Sequence, residues 1–150
     1  MASHIDPLFL PLGNSGARLF GMSAEERARR IATNIGMDIA DAPQADRPVL
    51  AAAMNHAWDP AWLKALRGRP ATVLVYRGRP VLAHIPAGEK QSSTLESVKA
   101  GAVPSGYEVL DAETAELSYA ELRKRERPFV LSIDPADPEP VERALYDAAY

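Results

Sequence analysis

The sequence predicts an α/β domain, a three-layer α/β/α arrangement around a mostly parallel mixed sheet. Three observations carry that prediction. The N-terminal stretch Pro7-Leu-Phe-Leu-Pro-Leu-Gly13-Asn-Ser-Gly16-Ala-Arg18 runs from an apolar strand into a glycine loop, and a helix start follows at Ser23. Pro48-Val-Leu-Ala-Ala-Ala-Met54 is a continuous small-apolar run, the composition of a strand covered on both faces. Asp59-Pro60 then places an N-cap before a proline at the first helical position.

Composition narrows the possibilities. A chain of 150 residues suits one domain burying roughly two-thirds of its unfolded surface. The absence of cysteine excludes disulfides and thiolate-ligated zinc or iron–sulfur sites, and fits a reducing, cytoplasmic setting. A formal net charge of −3 argues against nucleic acid as the main partner. No run of apolar residues is long enough to span a bilayer, and residues 1–6 lack the basic and apolar regions of a secretory signal. His4, His56 and His84 are far apart in sequence, which speaks against a histidine-based metal site.

Read in order, residues 7–12 form the first strand, with prolines where a missing N–H is tolerated. Glycines in the loop that follows let backbone N–H groups approach a phosphate, and Arg18 adds a fixed charge; ordinary turn chemistry places glycine there too. Ser23 and Glu26 have capping-box spacing. The helix they open puts Ala24, Ala28, Ile31, Ala32 and Ile35 on one face, with Glu25, Glu26, Arg29 and Arg30 in i,i+4 pairs and Gly36 as the stop. The cluster Arg27, Arg29 and Arg30 suits a phosphate or, more simply, a solvated face.

A short second strand is expected at residues 37–41 and a central one at 48–54. The end of the central strand, Asn55-His-Ala-Trp58-Asp59-Pro60, is where layered α/β folds hold ligands. His56 and Trp58 there suit either a ligand cleft, with Trp58 as a stacking platform, or simple packing. Capping fully explains Asp59. The helix from Pro60 buries Trp62, Leu63 and Leu66, and residues 71–76 and 80–85 form a hairpin or near-hairpin. Arg67, Arg69, Arg77 and Arg79 read as solvated turn residues, and His84 as a packing residue. A helix at 89–99 buries Leu95 and Val98, a strand follows at 106–110, and residues 118–127 form a charged helix or connector. The last strand spans 128–133, then an acidic turn at 134–140. A helix over 141–150 stops without a cap, as expected of a piece of a longer chain.

The stretch from Leu10 to Arg18 resembles the signature that opens sugar- and polyol-phosphate nucleotidyltransferases, an apolar strand followed by a glycine and a spaced Gly-x-Arg. Residues 49–54 with Asn55-His-Ala-Trp-Asp-Pro-Ala-Trp-Leu63 resemble the same family's second landmark, a strand ending in the aspartate that binds the catalytic magnesium. The C-terminal third is similar to the junction in bacterial membrane proteins that fuse a nucleotidyltransferase-like domain to a CDP-alcohol phosphotransferase. The resemblance implies a truncated, Rossmann-like nucleotidyltransferase fold over residues 1–150, with the phosphotransferase domain beyond.

The departures are specific. The glycines are one residue further apart than in active members, no lysine follows the loop, and Asn55 stands where the metal-binding aspartate aligns. A neutral amide supplies one oxygen and no charge to Mg²⁺. The resemblance therefore implies a non-catalytic regulatory or scaffolding domain with no catalytic and no metal-binding residues of its own. Its candidate nucleotide-binding residues are Gly13, Asn14, Ser15, Gly16, Arg18, Asn55 and Trp58. Implied partners are CTP or CDP, a polyol phosphate, the membrane phosphotransferase domain of the parent chain and a second copy in a homodimer. The parent would lie in the inner membrane with this domain on its cytoplasmic face. Two alternatives stand beside this reading: an active Mg²⁺-dependent cytidylyltransferase joining CTP to a polyol phosphate, and a pure protein-interaction module.

Overall fold

The computed structural model describes residues 6–12, 18–19, 22–43, 46–114, 130–133 and 143. Strand β1 (Leu8–Leu12) is followed by a two-stranded ribbon, β2 (Arg18–Leu19) and β3 (Met22–Ser23), paired antiparallel. The sequence gives no strand signal for this ribbon, because two residues per strand carry no periodicity. Helix α1 (Ala24–Asn34) starts at Ser23, whose Oγ accepts from the Glu26 N–H at 3.1 Å. Glu26 completes the expected box only partly, since its carboxylate meets the Ser23 hydroxyl at 3.4 Å. Ala24, Ala28 and Ala32 are buried, and Ile31 and Ile35 pack beside them, as the helical spacing predicts.

Residues 37–41 make a single parallel bridge, Phe9 to Ile39, rather than the expected strand. Phe9 meets this segment through its backbone, donating to the Asp38 carbonyl and accepting from Ala40 N, both at 2.8 Å. Strand β4 (Val49–Ala53) lies at the position its composition predicts, between β1 and a later strand, with Val49 through Ala52 fully buried. The chain then turns into a short strand β5 (His56–Trp58) and helix α2 (Pro60–Arg67). Asp59 caps α2, its carboxylate accepting from Ala61 N at 3.0 Å.

Strands β6 (Thr72–Tyr76) and β7 (Arg79–Ile85) form a true hairpin. Its two-residue turn, Arg77-Gly78, has both φ positive (51° and 79°), the type I′ geometry that matches strand twist. Helix α3 (Gln91–Lys99) begins two residues later than expected, and edge strand β8 (Glu108–Asp111) follows. Strand β9 (Val130–Ser132) leaves the main sheet and pairs antiparallel with β5.

The main sheet is mixed, with order β1-β4-β7-β6-β8. Pairs β1–β4 and β6–β8 are parallel, while β7 runs against both its neighbours. Side chains alternate along each strand and divide the core in two. Phe9, Leu50, Leu74 and Leu82 pack with α1 and α2. Leu8, Leu10, Val49, Val73 and Ile85 pack with Leu95 and Val98 of α3. Among the described residues no helix is long and apolar enough to cross a membrane. The connector at 118–127, the acidic turn at 134–140 and most of the helix expected at 141–150 lie outside the described residues.

Arg67 is not a free turn residue. Its Nε and Nη2 each lie 2.7 Å from a carboxylate oxygen of Asp6, and its guanidinium also donates to the carbonyls of Ile35 and Gly36. Arg47 donates to the Asp6 carbonyl at 3.0 Å, and its own carbonyl accepts from Gln91 Nε2 at 2.7 Å. The start of β1, the end of α1 and the start of α3 are thereby tied together.

Candidate functional site

Strands β1 and β4 end together at Leu12 and Ala53, and Met54 N donates to the Leu12 carbonyl at 3.2 Å. Because β7 is reversed, its first residues, Arg79 and Pro80, reach the same edge of the sheet. The last turn of α3 and Gly101 close the opposite wall. Between them lies a cavity of about 530 Å³, the size class of small-molecule pockets. It opens where the order of the strands and the composition of residues 49–54 lead one to look, at the carboxyl ends of parallel strands.

Asn55 stands at the rim, exposed, in the turn between β4 and β5. Its backbone is fixed by β9, since Ile133 N donates to the Asn55 carbonyl at 2.8 Å. Its side-chain Oδ1 lies 2.8 Å from His56 Nδ1. A carbonyl oxygen only accepts, so this contact places the proton of the neutral imidazole on Nδ1. The Asn55 Nδ2 amide keeps both its hydrogens free of protein partners among the described residues.

His56 is only 6% exposed, with its ring edge against Tyr76 at 6.0 Å. Burial pushes its pKa below the usual histidine value, and repulsion from Arg79 adds to the effect. Arg79 makes no hydrogen bond or ion pair among the described residues. Its guanidinium rests against Gly101, where a Cβ would sit 3.5 Å from Nη1. Lys99 lies on the same wall, in a loose, exposed pair with Glu96 at 3.6 Å. Among the described residues no carboxylate lines the cavity. Two cations, an amide donor and a neutral imidazole therefore face one space, a set suited to an oxyanion.

The predicted site residues are distributed unevenly. Asn55 lines the cavity. Trp58 does not: it is 1% exposed, seated edge-on to Phe9 at 6.1 Å and paired to β9 through its backbone. Arg18 lies in β2, whose backbone alone is described. Gly13, Asn14, Ser15 and Gly16 lie outside the described residues. Arg79 and Lys99 were not singled out by sequence reasoning, since an exposed arginine at a turn and a lysine in a last helical turn are ordinary. The signal that marks Arg79 is the two-residue hairpin turn, which fixes the edge on which it emerges. His84 is a packing residue, with Nδ1 bonded to the Leu66 carbonyl at 2.6 Å.

The residues present do not fit the magnesium ion that the family resemblance brings to mind. Among the described residues no three histidine or carboxylate groups converge. Asn55 Oδ1, the side-chain oxygen among the described lining residues, is engaged by His56, and the charged groups described there, Arg79 and Lys99, are positive. A second cavity of about 490 Å³, beside the start of α3, is lined by Ser93, Thr94, Ser97 and Tyr107 with Glu89 and Lys90 of opposite sign, and no charge dominates it. No protein-family model, curated protein or solved structure matches this chain.

Proposed function

We propose that the chain is a reduced, non-catalytic relative of the sugar- and polyol-phosphate nucleotidyltransferases, with their three-layer, Rossmann-like architecture. In this reading it serves as the regulatory or scaffolding domain of a CDP-alcohol phosphotransferase, on the cytoplasmic face of the membrane that holds the parent. The observation that carries the proposal is the cavity at the carboxyl ends of β1 and β4, open beside Asn55, with Arg79 and Lys99 but no carboxylate among its described lining residues. An open, cation-lined cavity favours a ligand-sensing domain over a pure interaction module. The lack of acidic donors among the described residues favours binding over Mg²⁺-dependent transfer.

Calorimetric titration of the chain with CTP, CDP and CMP, each with and without Mg²⁺, tests the proposal. The expected result is nucleotide binding that ignores magnesium, with no pyrophosphate released from CTP and polyol phosphates. Magnesium-dependent CTP binding with pyrophosphate release would establish the cytidylyltransferase instead. Silence toward every nucleotide and polyol phosphate would leave a scaffold without a ligand.

A further inference from the structure

The geometry points to a phosphomonoester site that works without a metal, formed by the Asn55 side-chain amide, Arg79 and Lys99 in the cavity between the ends of β4, β7 and α3. The inference rests on the reading of this cavity as a ligand pocket and specifies the chemistry that it holds.

The argument begins with the polarity of Asn55. A carboxylate at the end of this strand would present only acceptors and would repel a phosphate. Asn55 presents an N–H₂ group, and the direction of that group is fixed, because the oxygen end is held by the Nδ1 hydrogen of His56. His56 is buried and its ring is braced by Tyr76, so the amide is oriented by a rigid neighbour. With its oxygen end engaged, the side chain at the rim offers a donor to an anion in the cavity.

The cations complete the set. Arg79 has no hydrogen-bond or ion-pair partner among the described residues, and its guanidinium lies beside Gly101. A planar guanidinium gives two parallel N–H bonds to a phosphate, the geometry for which arginine is selected. Lys99 adds a second, mobile ammonium whose pairing with Glu96 is long and exposed. Exposed pairs of this kind contribute little, so an arriving dianion competes for Lys99 at small cost. Two positive charges balance a phosphomonoester dianion, and no ion is needed to neutralise it.

The same chemistry is offered by inorganic phosphate, a polyol phosphate and the 5′-phosphate of CMP, so the test uses all three. Side-chain amide signals of Asn55 are followed by ¹⁵N NMR in EDTA while inorganic phosphate, glycerol 3-phosphate or CMP is added, and affinities come from calorimetry. We expect the Asn55 signals to shift with each ligand in EDTA. Arg79→Gln should weaken binding about tenfold, the loss of one charge-assisted contact, and Asn55→Asp should weaken it at least as much. Both positions are exposed, and an unchanged urea midpoint confirms that each variant is folded.

The ligands separate the sources. Glycerol 3-phosphate binding more tightly than inorganic phosphate supports a polyol phosphate as the occupant, and CMP binding more tightly than both supports a nucleotide. Binding that appears only with Mg²⁺ overturns the metal-free site but leaves the nucleotidyltransferase-like reading in place. So does CMP binding unaffected by Arg79→Gln and Asn55→Asp, which would put the phosphate elsewhere. Absence of binding by all three overturns the site and the ligand-pocket reading together, and leaves the scaffold.

Discussion

Arg67 and Asp6, 61 residues apart, share a two-pronged ion pair with both N···O distances at 2.7 Å. The pair locks Asp6, two residues before β1, onto the end of α2. Through the carbonyls of Ile35 and Gly36 it also supplies a cation to α1, whose last turn contains no basic residue. Arg67 therefore does two jobs where Asp6 does one. Asp6 is 44% exposed at its side chain, so solvent screens the pair itself, and Asp6→Asn should cost about 0.5–1 kcal/mol. Arg67→Met also leaves helix-end carbonyls without a partner and should cost about 1–2 kcal/mol. Urea denaturation of the two variants decides the point. Equal costs would mean that the carbonyl contacts contribute nothing.

The pair has a pH signature. Hydrogen bonding to Arg67 holds the Asp6 carboxyl below its ordinary value, against a smaller opposing effect of burial. Its contribution is full above the unfolded-state value near 3.8 and is lost as pH falls through the lower folded-state value. Asp6→Asn should flatten the acid limb of the stability curve in that window and leave its neutral part parallel to the parent's. Thermal melts between about pH 2 and 5 measure it.

The hairpin turn offers a test free of packing effects. Gly78 has φ of 79°, and nothing lies within 4 Å of the position a Cβ would take. Gly78→Ala should therefore cost about 1 kcal/mol through backbone conformation alone. Ala71 presents the converse case, a non-glycine residue at φ of 55° just before β6. Ala71→Gly should raise stability by up to about 1 kcal/mol. Opposite signs in urea midpoints are the expected outcome, and a destabilised Ala71→Gly would show that its methyl packing outweighs the strain.

Much of this architecture was legible because its signals are local. The Ser23 and Asp59 caps, the helical faces of α1 and α2 and the doubly buried run at Val49–Ala53 each depend on residues close in sequence. The misses share the opposite character. Arg67 looked like a solvated turn residue because its partner lies at the chain's start. The pairing of β5 with β9 joins His56 to Ser132, and no periodicity in a three-residue strand announces it. The site divides the same way. Asn55 was legible from its place after a central strand, whereas Arg79 and Lys99 join it only through the reversal of β7 and the packing of α3 on the sheet. The direction of the Asn55 amide depends on a histidine's tautomer, which no sequence pattern specifies.

Trp62 exposes an unusual balance in the core. Its ring is fully buried against the sheet, yet its Nε1 hydrogen has no acceptor among the described residues. A buried donor left unpaired costs about 1–3 kcal/mol, which offsets part of what the large ring contributes. Trp62→Phe removes the orphaned donor together with some volume, so the two changes oppose each other. Its cost should stay below about 2 kcal/mol, well short of the roughly 3–5 kcal/mol expected for a buried Trp→Ala change. A phenylalanine variant as unstable as the alanine variant in urea would show that ring volume alone decides.

His56 links stability to the cavity, and the sign of each effect follows from its surroundings. Burial disfavours the imidazolium, Arg79 on β7 repels it, Lys99 on α3 lies on the same cavity wall, and Tyr76 on β6 and Asn55 offer no negative charge. The folded-state pKa is therefore below the ordinary 6.5, and the unfolded chain binds the proton first. Stability should fall as pH drops from about 6.5 towards the folded-state value, and His56→Gln should remove that slope. Arg79→Gln should move the His56 titration back upward but leave it below 6.5, because burial is the larger cause. Sulfate, whose charge is constant across this range, provides the decisive comparison. Seated between Arg79 and the Asn55 amide, it would lie close enough to favour the imidazolium, so saturating sulfate should raise the His56 pKa in ¹H–¹³C NMR titrations. A His56 titration indifferent to sulfate, while sulfate binds, would place the anion away from Asn55.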